Sequence, residues 1–283
     1  MDNPFFTYSP IVRRPPLRWP DGARVAVWVL VAVEYFEFDW SASGKVPDVR
    51  DYSRRDYGPR VGVWRLMDIL DKHRVRASVV LNSAAATHYP EIIQEALARK
   101  WDILAHGITN SRPLSGLSVD AERQVIRETL DTIAKAIGRR PRGWMGPGLH
   151  ETYNTLDLLA EAGIEFVGDW VNDDQPYPIK TKAGTLVSLP YSVELNDRPL
   201  FLGPTMPANT FFDVVRDAFD MVYEEGRTQG RVLPIAVHPY LMGQPFRAKY
   251  FDQALAYVKQ HTNVWWATAS EIVDWYKSVG APR

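Results

Sequence analysis

One segment, Arg24–Val33 (RVAVWVLVAV), constrains the fold more than any other part of the sequence. After the first residue it contains only apolar side chains, and valine occupies every second position. A strand without polar alternation is typical of one that is buried on both faces, as in a parallel sheet covered by helices. The sequence therefore predicts an α/β protein built on a parallel sheet.

Shorter apolar runs alternate with segments of helical period along the rest of the chain. Further strands are predicted at Arg76–Leu81, Trp101–Ala105, Gly143–Met145, Ile164–Gly168, Thr185–Leu189, Val232–Val237 and Asn263–Ala267. Helices are predicted at Val61–His73, Pro90–Lys100, Ser118–Ile137, Glu151–Ala162, Asn209–Glu225, Arg247–Gln260 and about Ser270–Lys277. This order favours a closed or nearly closed barrel of about seven parallel strands. An open doubly wound sheet is the alternative, but the sequence has no glycine fingerprint after the first strand, as that fold would need for binding a nucleotide.

Composition limits the chemistry available to the chain. Its 283 residues suit a single domain over 1–283, with an irregular N-terminal arm at about 1–20. A net charge of −1 gives no long-range field for nucleic acid, and the absence of cysteine excludes disulfides, thiolate metal sites and cysteine nucleophiles. No run approaches the roughly 20 apolar residues of a membrane span, and the N-terminus lacks a signal-peptide core. We therefore expect a cytoplasmic protein that uses oxygen and imidazole groups.

Polar residues follow several predicted strands at the point where each strand ends. They include Glu34, His106, Asp169 and His238, together with the glycine-rich turn GPGLHE that contains Gly146. Because the carboxyl ends of barrel strands meet at one mouth, we expect these residues to converge there. Polar residues placed by chance would also occur inside the strands. The strand interiors are almost purely aliphatic, so the polar residues at the strand ends are not placed by chance.

Each of these residues also has a structural interpretation. A histidine at a strand end can be a cap or a satisfied core residue, and Glu34 can pair with Arg50 or Arg54. His150 is interpreted as a capping residue beside a helix start. The arginines of segment 38–60 are most simply a solvated, flexible surface, and a lid that recognises an anionic substrate is the alternative.

The segments around the strand ends resemble the polysaccharide deacetylase superfamily (NodB homology, carbohydrate esterase family 4). The resemblance extends over nearly the whole chain from about Arg18 and rests on RWPDGARVAVWVLVAVEYFEFD, WDILAHGITNS, PRGWMGPGLHET, FVGDWVNDDQPY, AVHPYLMGQPFR and ATASEIVDWY, in that order. The chain is most similar to the intracellular branch that includes cofactor-free allantoinase and cyclic-imide hydrolase relatives. This resemblance implies a distorted (β/α) barrel and a homo-oligomer.

The resemblance also implies a metal site, from which this sequence departs. Glu34 lies in the slot of the first acidic motif, which supplies a base and a metal ligand, and His106 matches the first histidine of the H-x-x-x-H metal motif. Asn110 stands in place of the second histidine. A catalytic zinc normally has three protein ligands and a water, so a divalent metal would here have two ligands and a weak third in Asn110. Two mechanisms remain open: such a metal polarises the carbonyl, or Glu34 and His106 deprotonate water directly.

The remaining motifs imply an acid, an orienting residue and the substrate-binding groups. His238 matches the late histidine that acts as general acid, and Asp169 lies in the fourth motif, near a group that orients the catalytic residues. Trp144 or Met145 occupies the stretch where the third motif has an arginine. The N–H groups of the turn at Gly146, or the Trp144 indole, could hold an oxyanion. The predicted substrate-binding residues are Trp144, Trp170, Asn110 and Gly146.

These residues lead to one main hypothesis and two alternatives. The main hypothesis is a hydrolase that cleaves a linear or cyclic amide C–N bond of a small molecule by water attack on the carbonyl. The first alternative is an N- or O-deacetylase of a glycan, for which Trp40, Trp144 and Trp170 would provide stacking surfaces. The second is a catalytically inactive barrel used for ligand binding, which Asn110 and Met145 favour. We expect no nucleic-acid or membrane partner.

Overall fold

The computed structural model describes residues 3–41, 43–203 and 206–280, so residues 1 and 2 of the predicted N-terminal arm lie outside it. One sheet contains the strands β1 (Val25–Val33), β2 (Ser78–Leu81), β3 (Asp102–Ala105), β4 (Gly143–Trp144), β5 (Phe166–Val167), β6 (Tyr177–Thr181), β7 (Gly184–Ser188), β8 (Arg231–Val237) and β9 (Val264–Trp266). Along the sheet the order is β6-β7-β5-β4-β3-β2-β1-β8, and β9 pairs with the first residues of β1. Only β6 is antiparallel to its neighbour.

Ten helices accompany these strands in the part of the chain that is described. They are α1 (Val49–Tyr57), α2 (Val63–Lys72), α3 (Ser83–His88), α4 (Pro90–Ala98), α5 (Val119–Ile137), α6 (Thr155–Glu161), α7 (Asp197–Leu202), α8 (Thr210–Glu225), α9 (Pro245–Lys259) and α10 (Ala269–Ser278). A π-helical turn, Gly58–Gly62, joins α1 to α2. Within the described ranges, no helix is both long and apolar enough to cross a membrane.

Strand β1 is buried on both faces, as its sequence predicts. Its valines belong to the larger hydrophobic core, in which helices such as α2 and α9 pack on the outside of the sheet. Trp28 and Leu30 face the inside, where they share a second core with Phe166 of β5. Ile272 of α10 and Trp19 of the N-terminal arm belong to the same inner core. The concave side of the sheet is therefore filled by a helix and by the arm.

Irregular segments, rather than another strand, cover the free edge of β8. The N–H of Val232 donates to the carbonyl of Asp174 at 2.9 Å, and the N–H of Ala236 donates to the carbonyl of Leu195 at 3.0 Å. A parallel bridge links Asn196 to Ala236. The architecture is thus a distorted (β/α) barrel with seven parallel strands in its main path and an antiparallel edge strand, which confirms the predicted fold class.

The structure corrects the sequence prediction in the segment 38–60, which we expected to be a flexible surface. Residues 49–57 form helix α1, whose N-cap Asp48 accepts a hydrogen bond from the N–H of Asp51 at 2.9 Å. This helix escapes prediction because its mean hydropathy is low and none of its residues is fully buried. His150 is also corrected: it is exposed and does not cap α6, which begins only after Asn154, but its backbone ends the short 3-10 helix Pro147–Leu149.

Candidate active site

Three side chains that follow three different strands converge at the carboxyl-terminal mouth of the barrel. Oε1 of Glu34, after β1, lies 3.8 Å from Nε2 of His106, after β3, and 3.5 Å from Nε2 of His238, after β8. Each of these side chains is only 6% exposed. Asn110, from the loop after β3, donates a hydrogen bond from its amide Nδ2 to the same Glu34 oxygen. The structure therefore brings together four residues that the sequence predicts as site residues.

The charges in this cluster stabilise one another. Burial raises the pKa of Glu34, but the charge of His238 and hydrogen bonds from His106 and His238 outweigh it, so the pKa lies well below its ordinary value of 4.5. Burial lowers the pKa of His238, whereas the carboxylates of Glu34 and Asp197 raise it, to about 10. At neutral pH, Glu34 is therefore an anion and His238 carries a proton.

Asp197, which the sequence analysis missed, holds His238 in place. Its Oδ1 accepts a hydrogen bond from Nδ1 of His238 at 2.7 Å, and both of its oxygens accept from the backbone N–H of His238. The N–H of Met242 adds a further bond at 3.1 Å. Because Nδ1 is bound to Asp197, the Nε2–H of His238 is directed towards Glu34. No strand precedes Asp197, so the strand-end rule could not find it.

His106 is oriented by backbone and side-chain contacts on its other side. Its Nδ1 donates to the carbonyl of Met145 at 2.5 Å, so its Nε2 faces Glu34. Asn82, directly after β2, donates to the carbonyl of His106 and accepts from the N–H of Tyr35 at 2.8 Å. It thereby ties three strand ends together. The strand-end rule applies to Asn82 and could have found it.

The donor set does not fit the metal centre that the family resemblance implies. Among the described residues, no group of three or more His, Cys, Asp or Glu side chains is placed to hold a metal ion. Asn110 directs an N–H towards Glu34, and its Oδ1 has no hydrogen-bond partner among these residues. An N–H donor in this position competes with a cation for the Glu34 oxygen. Glu34 and His106 are one strong ligand short of a catalytic zinc site, so we derive no step through a metal.

Asp169 lies near the cluster of Glu34, His106 and His238 and close to a second carboxyl group, that of Glu151. Its Oδ1 accepts a hydrogen bond from the N–H of Gly146 at 2.6 Å, and its charge acts on the nearby carboxyl group of Glu151. Burial and the charge of Asp169 raise the pKa of Glu151 well above its ordinary value, and burial also raises that of Asp169. Because burial and the charge of Asp169 disfavour its ionised form, Glu151 keeps its proton at neutral pH. Sequence reasoning assigned Glu151 to a helix and missed this contact.

The predicted substrate-binding residues other than Asn110 offer little open surface. Trp144 is completely buried, and its Nε1–H has no partner among the described residues. The ring of Trp170 is packed edge-on by Phe5 and Phe6 of the N-terminal arm, with centroids 6.1 and 5.3 Å away. The N–H of Gly146 is already bound to Asp169, so it is not free to hold an oxyanion.

Comparison with known proteins finds a family profile, sequence relatives and solved structures that are similar to this chain. The sequence profile of the family described as Polysaccharide deacetylase matches residues 52–167. A Helicobacter pylori protein named Peptidoglycan deacetylase is 22% identical over 257 residues, which cover 79% of this chain and 86% of the relative. A probable polysaccharide deacetylase from Pseudomonas aeruginosa PAO1 is 26% identical, with a TM-score of 0.87 over 97% of this chain and 99% of its own. The structure of Puue Allantoinase is 24% identical over 100% of both chains, with a TM-score of 0.89, and shares the fold.

Proposed function

Since the chain belongs to the polysaccharide deacetylase superfamily, we propose that it hydrolyses a linear or cyclic amide bond of a small molecule by attack of water on the carbonyl carbon. Membership makes the chain a hydrolase that acts on carbon–nitrogen bonds other than peptide bonds. The observation that carries the finer proposal is the buried cluster of Glu34, His106 and His238.

The cluster supplies the two proton transfers that amide hydrolysis needs. Oε1 of Glu34 and Nε2 of His106 orient the attacking water, and Glu34 accepts its proton while the oxygen bonds to the carbonyl carbon. The C–N bond then breaks as Nε2 of His238 gives its proton to the departing nitrogen. The raised pKa of His238 supports this role, because the proton is present at neutral pH. The products are a carboxylic acid and an amine, or both on one molecule when a ring opens.

The indole of Trp144 is the predicted oxyanion donor that remains unpaired within the described ranges, but a substrate cannot reach it while the ring is completely buried. Its Nε1–H is buried without a partner among the described residues, and the competing N–H of Gly146 is bound to Asp169. A fixed donor of this kind stabilises negative charge that develops on a carbonyl oxygen.

The burial of the cluster favours a small substrate over a polymer. A glycan chain needs an open groove with accessible aromatic rings, whereas Trp144 is buried and Trp170 is covered by the arm. A groove of about 960 Å³ does lie between the arm and the loop after β5, but neither Glu34 nor the two histidines line it. The Helicobacter pylori relative, named a peptidoglycan deacetylase, supports glycan deacetylation as the second candidate.

A substrate panel tests the proposal. Purified wild-type protein and His238→Ala are incubated with cyclic ureides and imides, with linear amides and with N-acetylated chitooligosaccharides. We expect the wild type to open or cleave a small amide and His238→Ala to lose this activity. Acetate release from the chitooligosaccharides would favour glycan deacetylation instead. Binding of small amides without turnover, unaffected by His238→Ala, would support the inactive barrel.

A further inference from the structure

Three arginines around the mouth of the barrel have no ion-pair partner among the described residues. They are Arg54 of α1, Arg198 of α7 and Arg247 of α9, and we refer to them as the mouth arginines. Arg55, next to Arg54 on the same helix, does have a partner, because its Nε binds Asp51 at 3.0 Å. The chain as a whole has a net charge of −1, so three such arginines in one place are a local excess of positive charge.

Arg247 is held in a position that is costly for a lone cation. Its guanidinium carbon lies 4.3 Å from the ring centroid of Phe201 and 4.9 Å from that of Phe246, so two rings fix the group. Its Nε is buried and has no hydrogen-bond partner in the described part of the chain. Arg247 also lies in the first turn of α9, at the positive end of the helix dipole, where that helix has no acidic residue. A bound anion would relieve each of these costs.

Backbone packing brings the helix of Arg54 next to that of Arg247. A Cβ added to Gly243, which directly precedes the N-cap of α9, would lie 2.4 Å from Cα of Gly62 in the π-turn. Because α1 leads into this turn, it lies beside the start of α9. Burial lowers the pKa of Arg247, and the charge of Arg54 lowers it further, as expected for two neighbouring cations.

Arg198 and Arg247 flank Asp197, the residue that holds His238. Arg198 follows Asp197 on α7, and Phe201, which contacts the guanidinium of Arg247, lies one helical turn after Asp197. Asp197 is completely buried and accepts its hydrogen bond from Nδ1 of His238, whereas Arg198 is exposed. An anion that arrives from solvent therefore meets the arginines and not the carboxylate.

The charge of Arg198 also acts on a residue that contacts His238. The ring centroids of Tyr240 and His238 are 5.8 Å apart. Burial raises the pKa of Tyr240, and the charges of Arg55 and Arg198 act in the opposite direction. The mouth arginines thus lie on the side of the site that is formed by α1, α7 and the loop after β8.

We propose that the mouth arginines bind a carboxylate group of the substrate, so that the enzyme acts on small amides that carry a carboxylate besides the amide that is cleaved. This inference rests on the proposed function. A carboxylate matches the planar fork of a guanidinium, which binds it through two parallel N–H donors. The carboxylates of this region are already engaged, Asp51 by Arg55 and Asp197 by His238, so neither neutralises the mouth arginines.

The test uses two pairs of ligands that differ in one charge, N-acetylglycine with N-acetylglycinamide and N-acetyl-β-alanine with its carboxamide. Dissociation constants are measured by NMR titration in a His238→Asn background, which stops turnover and removes the imidazolium as a competing cation. Arg198→Gln and Arg247→Gln each remove one mouth arginine. Arg127→Gln is the matched control, since Arg127 is an exposed arginine of α5. Circular dichroism confirms that each variant is folded.

We expect the carboxylate of at least one pair to bind about tenfold to a hundredfold more tightly than its neutral partner. Arg198→Gln and Arg247→Gln remove this preference, and Arg127→Gln retains it. Arg247→Lys keeps the charge without the planar fork and removes most of the preference. The inference is overturned if neither pair shows a preference for the carboxylate, or if the preference survives both glutamine variants.

Turnover of charged and neutral amides is measured separately with His238 intact. Hydrolysis of neutral amides without any preference for a carboxylate would retain the proposed function and overturn this inference. Binding of a carboxylate that depends on Arg198 and Arg247, without turnover of any amide, would retain the anion site and contradict the proposed function. The two failures are therefore distinguishable.

Discussion

His238 lies between two carboxylates, and this placement decides its protonation state. Glu34 contacts Nε2 and Asp197 contacts Nδ1, so both ring nitrogens face negative charge. Without these partners, a buried imidazole would lose its proton more easily, because burial disfavours the charged form. The two carboxylates, which come from distant parts of the sequence, therefore keep on His238 the proton that the proposed mechanism gives to the leaving nitrogen.

Replacing Asp197 by Asn should lower the pKa of His238. One of the two charges that raise this pKa is removed, and a fall of about one to three units is expected. The pKa is measured from the NMR titration of the histidine Cε1 protons, with His238→Asn used to assign the signal. Asp120→Asn, whose parent side chain is 96% exposed, is the control and should change nothing. An unchanged titration in Asp197→Asn would contradict this account of His238.

Glu151 should make the folded protein less stable as the pH rises. Its pKa is raised on folding by burial, by Asp169 and by nearby Glu122, so the folded state keeps a proton that the unfolded state releases above its ordinary pKa of 4.5. Its contribution to stability is thus fully present below that value and is lost at higher pH. Between about pH 5 and about pH 9, the wild type should lose about 1–3 kcal/mol of unfolding free energy relative to Glu151→Gln.

Urea unfolding at several pH values measures this difference. Glu161→Gln is the control. The parent side chain is 48% exposed and lies on α6, the helix that follows the loop with Glu151. Its unfolding free energy should change with pH as that of the wild type does. If the unfolding free energies of Glu151→Gln and the wild type change in parallel across the pH range, Glu151 does not keep a proton in the folded state.

Sequence reasoning located most of the site residues that directly follow strands. It missed Asn82, which follows β2, and Asp197, which does not directly follow a strand. Glu34, His106 and His238 were found because a parallel barrel brings strand ends together. Asp197 lies on the short helix α7 between strands, at a position that only the tertiary structure brings to the mouth. Its carboxylate carries no periodic signal, because in the sequence a single buried charge looks the same as a solvated one.

At the scale of the elements, strands were more predictable than short helices. All eight parallel strands follow from apolar runs, and helix α5 begins and ends where its signals predict. Ser118 accepts a hydrogen bond from the N–H of Ala121, and Gly138 ends the helix with φ of 75°. The antiparallel strand β6 was missed because only Ile179 within it is fully buried. Helices α1, α3 and α7 are too short or too polar to show a clear period.

The contact between the π-turn and the loop after His238 should depend on Gly62. An added methyl group would lie 2.0 Å from the Pro239 carbonyl oxygen, so the two backbones would have to separate. Gly62→Ala should reduce the unfolding free energy by about 1–3 kcal/mol. Gly203→Ala is the control, since no atom of the described residues lies within 4 Å of its added Cβ. Equal urea midpoints for the two variants would show that this close approach is not required.

At the scale of the whole molecule, the barrel depends on parts that are not strands. Trp19 is 2% exposed, lies in the inner core and donates from Nε1 to the carbonyl of Arg231 at 2.8 Å. Trp275 of α10 donates to the carbonyl of Arg18 at 2.7 Å. The arm and the last helix thus cover the concave side together. This arrangement was not predictable, because the proline-rich arm has no regular period.

Trp19→Ala should therefore destabilise the entire fold. Removing a buried tryptophan from the inner core is expected to cost about 3–5 kcal/mol of unfolding free energy. Tyr8→Ala, which removes an aromatic ring that is 86% exposed on the same arm, should change stability by less than about 0.5 kcal/mol. Urea unfolding measures both variants, and a similar small effect for each would mean that the arm is not part of the core.

The most direct measurement of the central claim is the turnover of Glu34→Gln on the substrate that the wild type hydrolyses. Glutamine keeps the shape of Glu34 but can neither accept the proton of water nor balance the charge of His238, so kcat should fall by a factor of about 10² to 10⁴. Glu37→Gln, three residues further on and paired with Arg112 outside the cluster, should retain wild-type turnover. Wild-type kcat in a folded Glu34→Gln protein would contradict the assignment of this cluster as the hydrolytic site.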